Sequence, residues 1–346
     1  MRTAIAVKFV AIVLTLSWTT TSWCQDHVNV AMASGGYLYI GAMTADALGF
    51  FKAENIDANV YDAGSGTKSM SQLAAGQAQF GLTAPPSGFL ARQRGIDIQT
   101  VGAAITQYAS NIVASKKFSE RTGVTQESTI DQKLKALKGS TFGVSTPGSG
   151  TEQIFRYLAK RAGIDASRDM TIATLGSGAA MLPAFSRDQI DGFSFSPPNP
   201  DVAVQKFGGF LLFDLAHGEM KELDGFLYQG VLVHQNWAEK NESVVVRFLS
   251  AMQRALDVIH DDTSRDKVRD AVWQKWFNKT DKALYDHVWA DMRSAFPRTV
   301  EVNADQMQRI SDFLSAIGRP LQTDTIKTGW TNKYAAQAVA AVEQSK

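Results

Sequence analysis

The chain has 346 residues, 45% of them hydrophobic and 20% charged, with a formal net charge of +1. That length exceeds what one core usually holds, so two lobes are expected, and the composition excludes a disordered or fibrous protein. A balance this near neutral, without a Lys/Arg cluster, excludes recruitment of nucleic acid or an anionic membrane by a global field.

Taken in order, Arg2 and Lys8 precede an apolar run at 9–16, and small polar residues follow before Trp23, Cys24 and Gln25. That is the order of a secretory signal, and the run is too short to span a bilayer. Residues 1–25 are therefore expected to direct export to the periplasm and to leave a soluble mature chain. Cys24 is the only cysteine, so no disulfide framework or cysteine metal site is expected. Thr21, Ser22 and Trp23 stand where a lipoprotein signal needs a Leu and a small residue, so no lipid anchor is expected.

Strand-like and helix-like runs then alternate. Residues 27–33 (HVNVAMA) read as a strand, 39–48 as a helix, 57–62 as a strand, 68–75 as a helix and 80–84 as a strand, followed by a helix to Arg94 and a strand at 98–105. A second series, from about 108 to 215, has strands in NIVAS, STFGVST, MTIATL, GFSFS and GFLLFDL, with helices starting near 130, 150, 179 and 200. Such alternation predicts parallel strands joined by helices. FLYQGVLVHQ, 226–235, reads as a last strand; helical periodicity dominates afterwards, at 238–260, 265–277, 282–296, 304–317 and 332–344. Trp273, Trp276 and Trp289 fall at helical spacing there, as packing anchors. The chain is expected to cross between lobes near 105–111 and 215–229, so that 26–107 and 216–346 form one lobe and 108–215 the other. Lobes joined in this way close by hinge motion.

In an open parallel sheet, ligands bind beyond the carboxyl ends of the strands. The turns at those ends are SGGY (34–37), GSGT (64–67), TAPPS (83–87), TQY (106–108), STPGSGT (145–151), GSGA (176–179) and SPPNP (196–200). In the fifth, Pro147, Gly148 and Gly150 allow a tight turn, Ser145, Thr146, Ser149 and Thr151 add hydroxyls, and a helix follows. The first amides of a helix lack partners and carry the positive end of its dipole, which suits an anionic or strongly polar ligand group; an ordinary N-cap is the other reading. These turns contain no His, Cys, Asp or Glu, so no acid/base pair or nucleophile couple is expected in them. The histidines, His27, His217, His234, His260 and His287, make no metal-ligand spacing. GSGT and PGSGTE lack the Lys of a phosphate-binding P-loop. No cofactor is expected.

The segments ADALGFFKAENIDANV (45–60), GSGTKSMSQLAAGQAQFGL (64–82), LKGSTFGVSTPGSGTE (137–152), AAMLPAFSRDQIDGF (179–193) and WAEKNESVVVRFLSAMQRAL (237–256) come in the order of a known family. The chain resembles the periplasmic substrate-binding proteins of ABC importers in the nitrate/sulfonate/taurine group, which includes the NMT1/THI5-like thiamine-pyrimidine binders. The resemblance implies an α/β, type II periplasmic-binding fold: two α/β lobes, two strand crossovers, and a small-molecule ligand enclosed between them. An inner-membrane ABC permease is the implied partner, with the receptor a monomer. The family's contact places fall on Ser34, Gly35, Gly36 and Tyr37, on Gly66 and Thr67, on Thr83 and Ala84, and on Gln107. In the other lobe they fall on Ser145, Thr146, Gly148, Ser149, Gly150 and Thr151, and on the stretch from Ser194 to Asn199.

Aromatic residues near these places, Tyr37, Tyr39, Tyr108, Phe193, Phe195 and Tyr228, suit a planar aromatic or heterocyclic compound or a small organic acid. Tyr37 and Tyr108 lie in loops, whereas Phe193 and Phe195 share one strand face, which points to the core. No Lys or Arg is assignable to these turns, which argues against sulfonate and nitrate. An enzyme of the pyrimidine-synthase type would need a reactive Lys or His there, and none is found; a ligand-sensing module for a membrane sensor shares the same features as a transport receptor.

Overall fold

The computed structural model describes residues 25–345; the rest of the signal-like segment, including Cys24, lies outside them. Short runs rich in Val, Ile, Ala and Phe, most of them soon followed by Gly, Ser, Asp or Pro, form ten strands among these residues. They are β1 Asp26–Met32, β2 Ile56–Asp62, β3 Phe80–Thr83, β4 Ile98–Ile105, β5 Ile112–Ala114, β6 Thr141–Val144, β7 Thr171–Thr174, β8 Gly192–Ser194, β9 Phe210–Phe213 and β10 Gln229–His234. They make two five-stranded sheets, ordered β2-β1-β3-β10-β4 and β7-β6-β8-β5-β9. The chain leaves the first sheet after β4 and returns to it with β10, so two connections cross between the sheets.

The expectation of parallel strands holds for only part of each sheet. β1 runs parallel to β2 and β3, and β6 to β7 and β8. β10 is antiparallel to β3 and β4, and β5 is antiparallel to β8 and β9. The cause is the crossing itself: a strand arriving from the other sheet enters from the cleft side and runs against the strands that end there.

Helices cover the sheets largely where the apolar period places them, with local differences. The helix read at 238–260 is broken at Asn241, whose side-chain amide donates to the Trp237 carbonyl at 2.8 Å, giving helices Gln235–Lys240 and Glu242–His260. The start of the helix read at 39–48 is a separate 3-10 turn, Tyr37–Tyr39, ahead of helix Ile40–Ala47. Helices Phe50–Ala53, Lys116–Thr122 and Thr323–Thr328 were not expected.

Helix Glu242–His260 packs between helices Ile40–Ala47 and Lys333–Gln344 and closes the core of the first sheet. Trp289 is buried in that core, and Trp273 and Trp276 pack partly buried against it. The free edge of β4 is covered by later chain: the Ala103 amide donates to Val300 O at 2.7 Å and the Thr100 amide to Gly329 O at 2.9 Å. Covering an edge in this way removes a site for unwanted strand pairing. No described helix is long and apolar enough to cross a membrane.

Candidate functional site

The carboxyl ends of the parallel strands of both sheets face one another across a narrow cleft. From the first sheet, the chain after β1 brings Ala33, Ser34, Leu38 and Tyr39 to the cleft; the turn before helix Gly66–Ala74 brings Gly66; and β3 with helix Pro85–Gln93 brings Thr83, Ala84 and Ser87. From the second, the loop after β6 supplies Ser145, Ser149, Gly150 and Thr151, and the chain after β8 supplies Phe195 and Ser196. The crossovers make the floor with Ser110, Tyr228 and Gln229. The cavity they enclose is about 40 Å³, and on the same scale one water needs roughly 10–15 Å³.

Local sequence explains each wall. Ser65 caps helix Gly66–Ala74 by accepting from the Lys68 amide at 3.2 Å, and Pro85 begins the next helix, where its fixed φ is already helical. In the loop 145–151, Thr151 Oγ1 accepts from the Ser145 amide at 3.1 Å and lies 2.9 Å from both Ser145 Oγ and Ser149 Oγ, while Ser149 Oγ donates to Thr146 O at 2.7 Å. The hydroxyls read as possible ligand donors thus also hold their own loop. What they leave exposed is backbone: among the described residues, no acceptor faces the amides of Gly66, Thr67, Gly150 or Thr151. At a helix start such amides favour an electron-rich group.

Electrostatically the cleft is neutral. No Lys, Arg, His, Asp or Glu lines it. Burial pushes the Tyr39 and Tyr228 phenols up, so both remain protonated. The Tyr39 hydroxyl donates to Gln229 Oε1 at 3.3 Å, and the Tyr228 hydroxyl to Ser110 Oγ at 2.6 Å, tying the first wall to the floor and the two crossovers to each other. Glu152, the acid at the border of the loop, is buried and paired with Arg156 on the next helical turn.

Of the residues expected from sequence, Ser34, Tyr39, Gly66, Thr83, Ala84, Ser145, Ser149, Gly150, Thr151, Ser196 and Tyr228 line the cleft, as does Phe195, whose strand face had pointed to the core. The others do not. Tyr37 turns its ring away into the core, 4.6 Å from Phe277 and 5.3 Å from Tyr285 between centroids, because the 3-10 turn points Leu38 and Tyr39 inward instead. Tyr108 lies beneath the floor, its ring 4.2 Å from that of Tyr228 and its hydroxyl donating to Gly150 O at 2.7 Å. Gln107 reaches the other crossover, donating to Leu215 O at 2.9 Å, and Ser194 Oγ donates to Ser110 O at 3.3 Å inside the second sheet. Asn199 packs against Gly178, and Gly35 beside the Asp62 side chain.

Three more expected residues, with Gly36, act between the lobes. Thr67 Oγ1 lies 3.0 Å from Thr146 Oγ1 and donates to Pro147 O at 3.0 Å, while Ser87 Oγ donates to Gly148 O at 3.1 Å. On the opposite side the Tyr37 amide donates to Pro197 O at 3.2 Å, and Gly36 lies so close to Ser196 that a Cβ there would be 2.6 Å from its Oγ. The lobes are therefore in contact around the cavity. Ser87 and Ser196 stood in turns already singled out, but Ala33, Leu38, Ser110 and Gln229 were missed. Ser110 and Gln229 sit on crossovers, without any Gly-rich turn to mark them.

Two α/β sheets joined by two crossovers, with a neutral cavity between them, define a two-lobed fold. The chain matches the NMT1/THI5-like family over residues 38–264 and belongs to it. It is 22% identical over 257 residues, 73% of its own length and 72% of the other's, to the protein YtlA of Bacillus subtilis. Its fold is similar to a protein from Bordetella bronchiseptica RB50, with a TM-score of 0.80 and 21% identity over 92% of this chain and 98% of that one. It is also similar to the periplasmic nitrate-binding protein NrtA of Synechocystis PCC 6803, at a TM-score of 0.71 and 13% identity over 92% and 89% of the chains. The periplasmic aliphatic sulphonate-binding protein SsuA of Escherichia coli follows, at 0.65 and 17% over 88% and 91%.

Proposed function

We propose that this protein is a periplasmic solute receptor that encloses a compact, acceptor-rich organic molecule between its lobes and delivers it to an ABC importer in the inner membrane. The observation that carries this reading is the cavity between the lobes, lined from both of them by hydroxyls and by helix-start amides without an internal acceptor. Helix-start amides of this kind bind anionic groups without any cationic side chain, so a small organic acid suits the cleft. A cavity of about 40 Å³ holds only a few heavy atoms; an aromatic or heterocyclic ligand would keep the lobes further apart, with its ring against Tyr39, Phe195 and Tyr228. The export signal and action as a monomer belong to the same proposal.

The test is a thermal-shift screen of the chain beginning at Asp26 against small organic acids, aromatic acids, thiamine-pyrimidine precursors, short sulfonates and nitrate. A ligand that binds only the folded state raises the midpoint by mass action. A rise of several degrees with organic acids is the expected result. No rise with any compound, repeated by calorimetry, would overturn the reading of the cleft as a solute site.

A further inference from the structure

Outside the closed cleft a second, larger groove crosses the line where the lobes meet. Its volume is about 390 Å³. The floor is apolar: Met70 and Ala74 come from helix Gly66–Ala74, Leu90 and Ala91 from helix Pro85–Gln93, and Ile96 from the turn that follows. Among the described residues only two large apolar side chains are exposed, and Ile96, at 37%, is one of them. The far wall is Pro147 and Gly148, on the loop of the other lobe that Thr67 and Ser87 hold by hydrogen bonds. The groove therefore exists as a whole only when the lobes are closed.

Two guanidinium groups, Arg94 and Arg319, stand in its lining, and no carboxylate does. Neither arginine side chain has an ion-pair, hydrogen-bond or ring partner among the described residues. The neighbouring Arg92 shows the contrast: it is held by Asp97 at 2.8 Å, by Gln235 at 2.9 Å and by Thr328 at 2.9 Å. An apolar floor with two unpaired cations is complementary to an acidic segment bearing an apolar side chain.

We propose that this groove is the docking surface by which the closed form is recognised, and that its occupant is a short acidic segment, with an apolar side chain, of the membrane component. The proposal rests on the receptor reading, since only a protein that opens and closes has a closed form to report. Docking here stabilises closure, because the partner touches Pro147 and Gly148 of one lobe and the two helices of the other. By linkage, the solute and the partner then strengthen each other's binding.

The test needs no solute. The chain from Asp26 has no cysteine, so Gly36→Cys with Ser196→Cys, on the opposite side of the cleft, locks the lobes when oxidised, as a thiol count confirms. The probe is a fluorescein-labelled twelve-residue peptide of alternating Glu and Leu, followed by anisotropy, with a Lys–Leu peptide as control. Expected is binding to the locked form at least 10-fold tighter than to the reduced form. Adding Arg94→Glu and Arg319→Glu is expected to abolish it and to transfer preference to the Lys–Leu peptide. Equal binding to locked and reduced protein, or retention of the acidic peptide by the charge-reversed variant, overturns the proposal. A negative solute screen with this result intact would sink the cleft reading and leave the docking surface standing; the reverse pattern would sink the docking surface alone.

Discussion

Strand for strand, the two sheets correspond: three parallel strands, then one from the other half of the fold running antiparallel, then the strand that leaves. What stands behind the two cleft walls differs. The first wall rests on a large core in which Tyr37 packs against Phe277 and Tyr285, and the later helices close over it. The second sheet and the helix after its cleft loop share that core through Phe142, Val144, Phe155 and Leu158 and keep a small cluster besides, around Phe185 and Phe193, but the loop 145–151 itself is shaped by the hydroxyl network centred on Thr151. Both walls rest on packing, but the second depends in addition on a side-chain hydrogen-bond network within its loop, so the second should be the more sensitive to single changes of shape.

The largest expected effect is at Gly150, where a Cβ would lie 3.1 Å from the Tyr228 ring. Gly150→Val should weaken solute binding by roughly 100-fold or more, since it crowds the floor of a nearly filled cavity, while circular dichroism and cooperative melting remain as in the parent. Gly36→Val tests the first wall: its clash with Ser196 holds the lobes apart, so a loss of roughly 10-fold or more is expected, together with a larger radius of gyration in X-ray scattering. Tyr228→Phe, which leaves buried Ser110 Oγ without its 2.6 Å partner, should cost roughly 10-fold in affinity by titration calorimetry.

A smaller effect concerns Asp201, on helix Asn199–Phe207 of the second lobe. Burial pushes its carboxyl up to about 6, with Asp291 and Asp214 adding to the rise and His287 opposing it, and its Oδ2 has no partner. Because the folded state holds this proton more tightly than the unfolded chain, stability is lost as pH rises from about 4 through about 6. Asp201→Asn is therefore expected to raise the melting midpoint by roughly 2–4 °C at pH 7 and to lose that advantage below about pH 4, where the parent is neutral as well. The smallest change is Thr67→Val at the exposed mouth, worth roughly 2–3-fold in affinity; no change at all would mean that the contact with Thr146 and Pro147 does not bias closure.

Much of this arrangement was legible in the sequence because turn chemistry is local. Ser65, Pro85 and Ser149 each mark where a strand hands over to a helix, and the residues around them do line or close the cleft. Side-chain direction was less accessible: Tyr37 and Tyr39 are two residues apart, and only the 3-10 turn decides that one enters the core and the other the cavity. The direction of β5 and β10 was not legible at all, because it depends on where the chain has come from, and the floor residues Ser110 and Gln229 went unseen with them. Thr67, Thr146 and Gly148 were read as ligand contacts and instead join the lobes, and hydrogen bonding between lobes is a property of the closed pair that has no mark in either loop alone.

The position of β10 bears on how the molecule is made. It is an inner strand, hydrogen bonded to β3 on one side and β4 on the other, yet every strand of the second sheet is synthesised before it. Until it emerges, β3 and β4 have nothing between them and the first sheet exists as two fragments with open edges. Pairing across so long a stretch of chain is slow to nucleate. If the chain is exported as proposed, it gains from that delay the time to thread through a translocation channel before folding, and the same delay makes the nascent chain a client for holding factors.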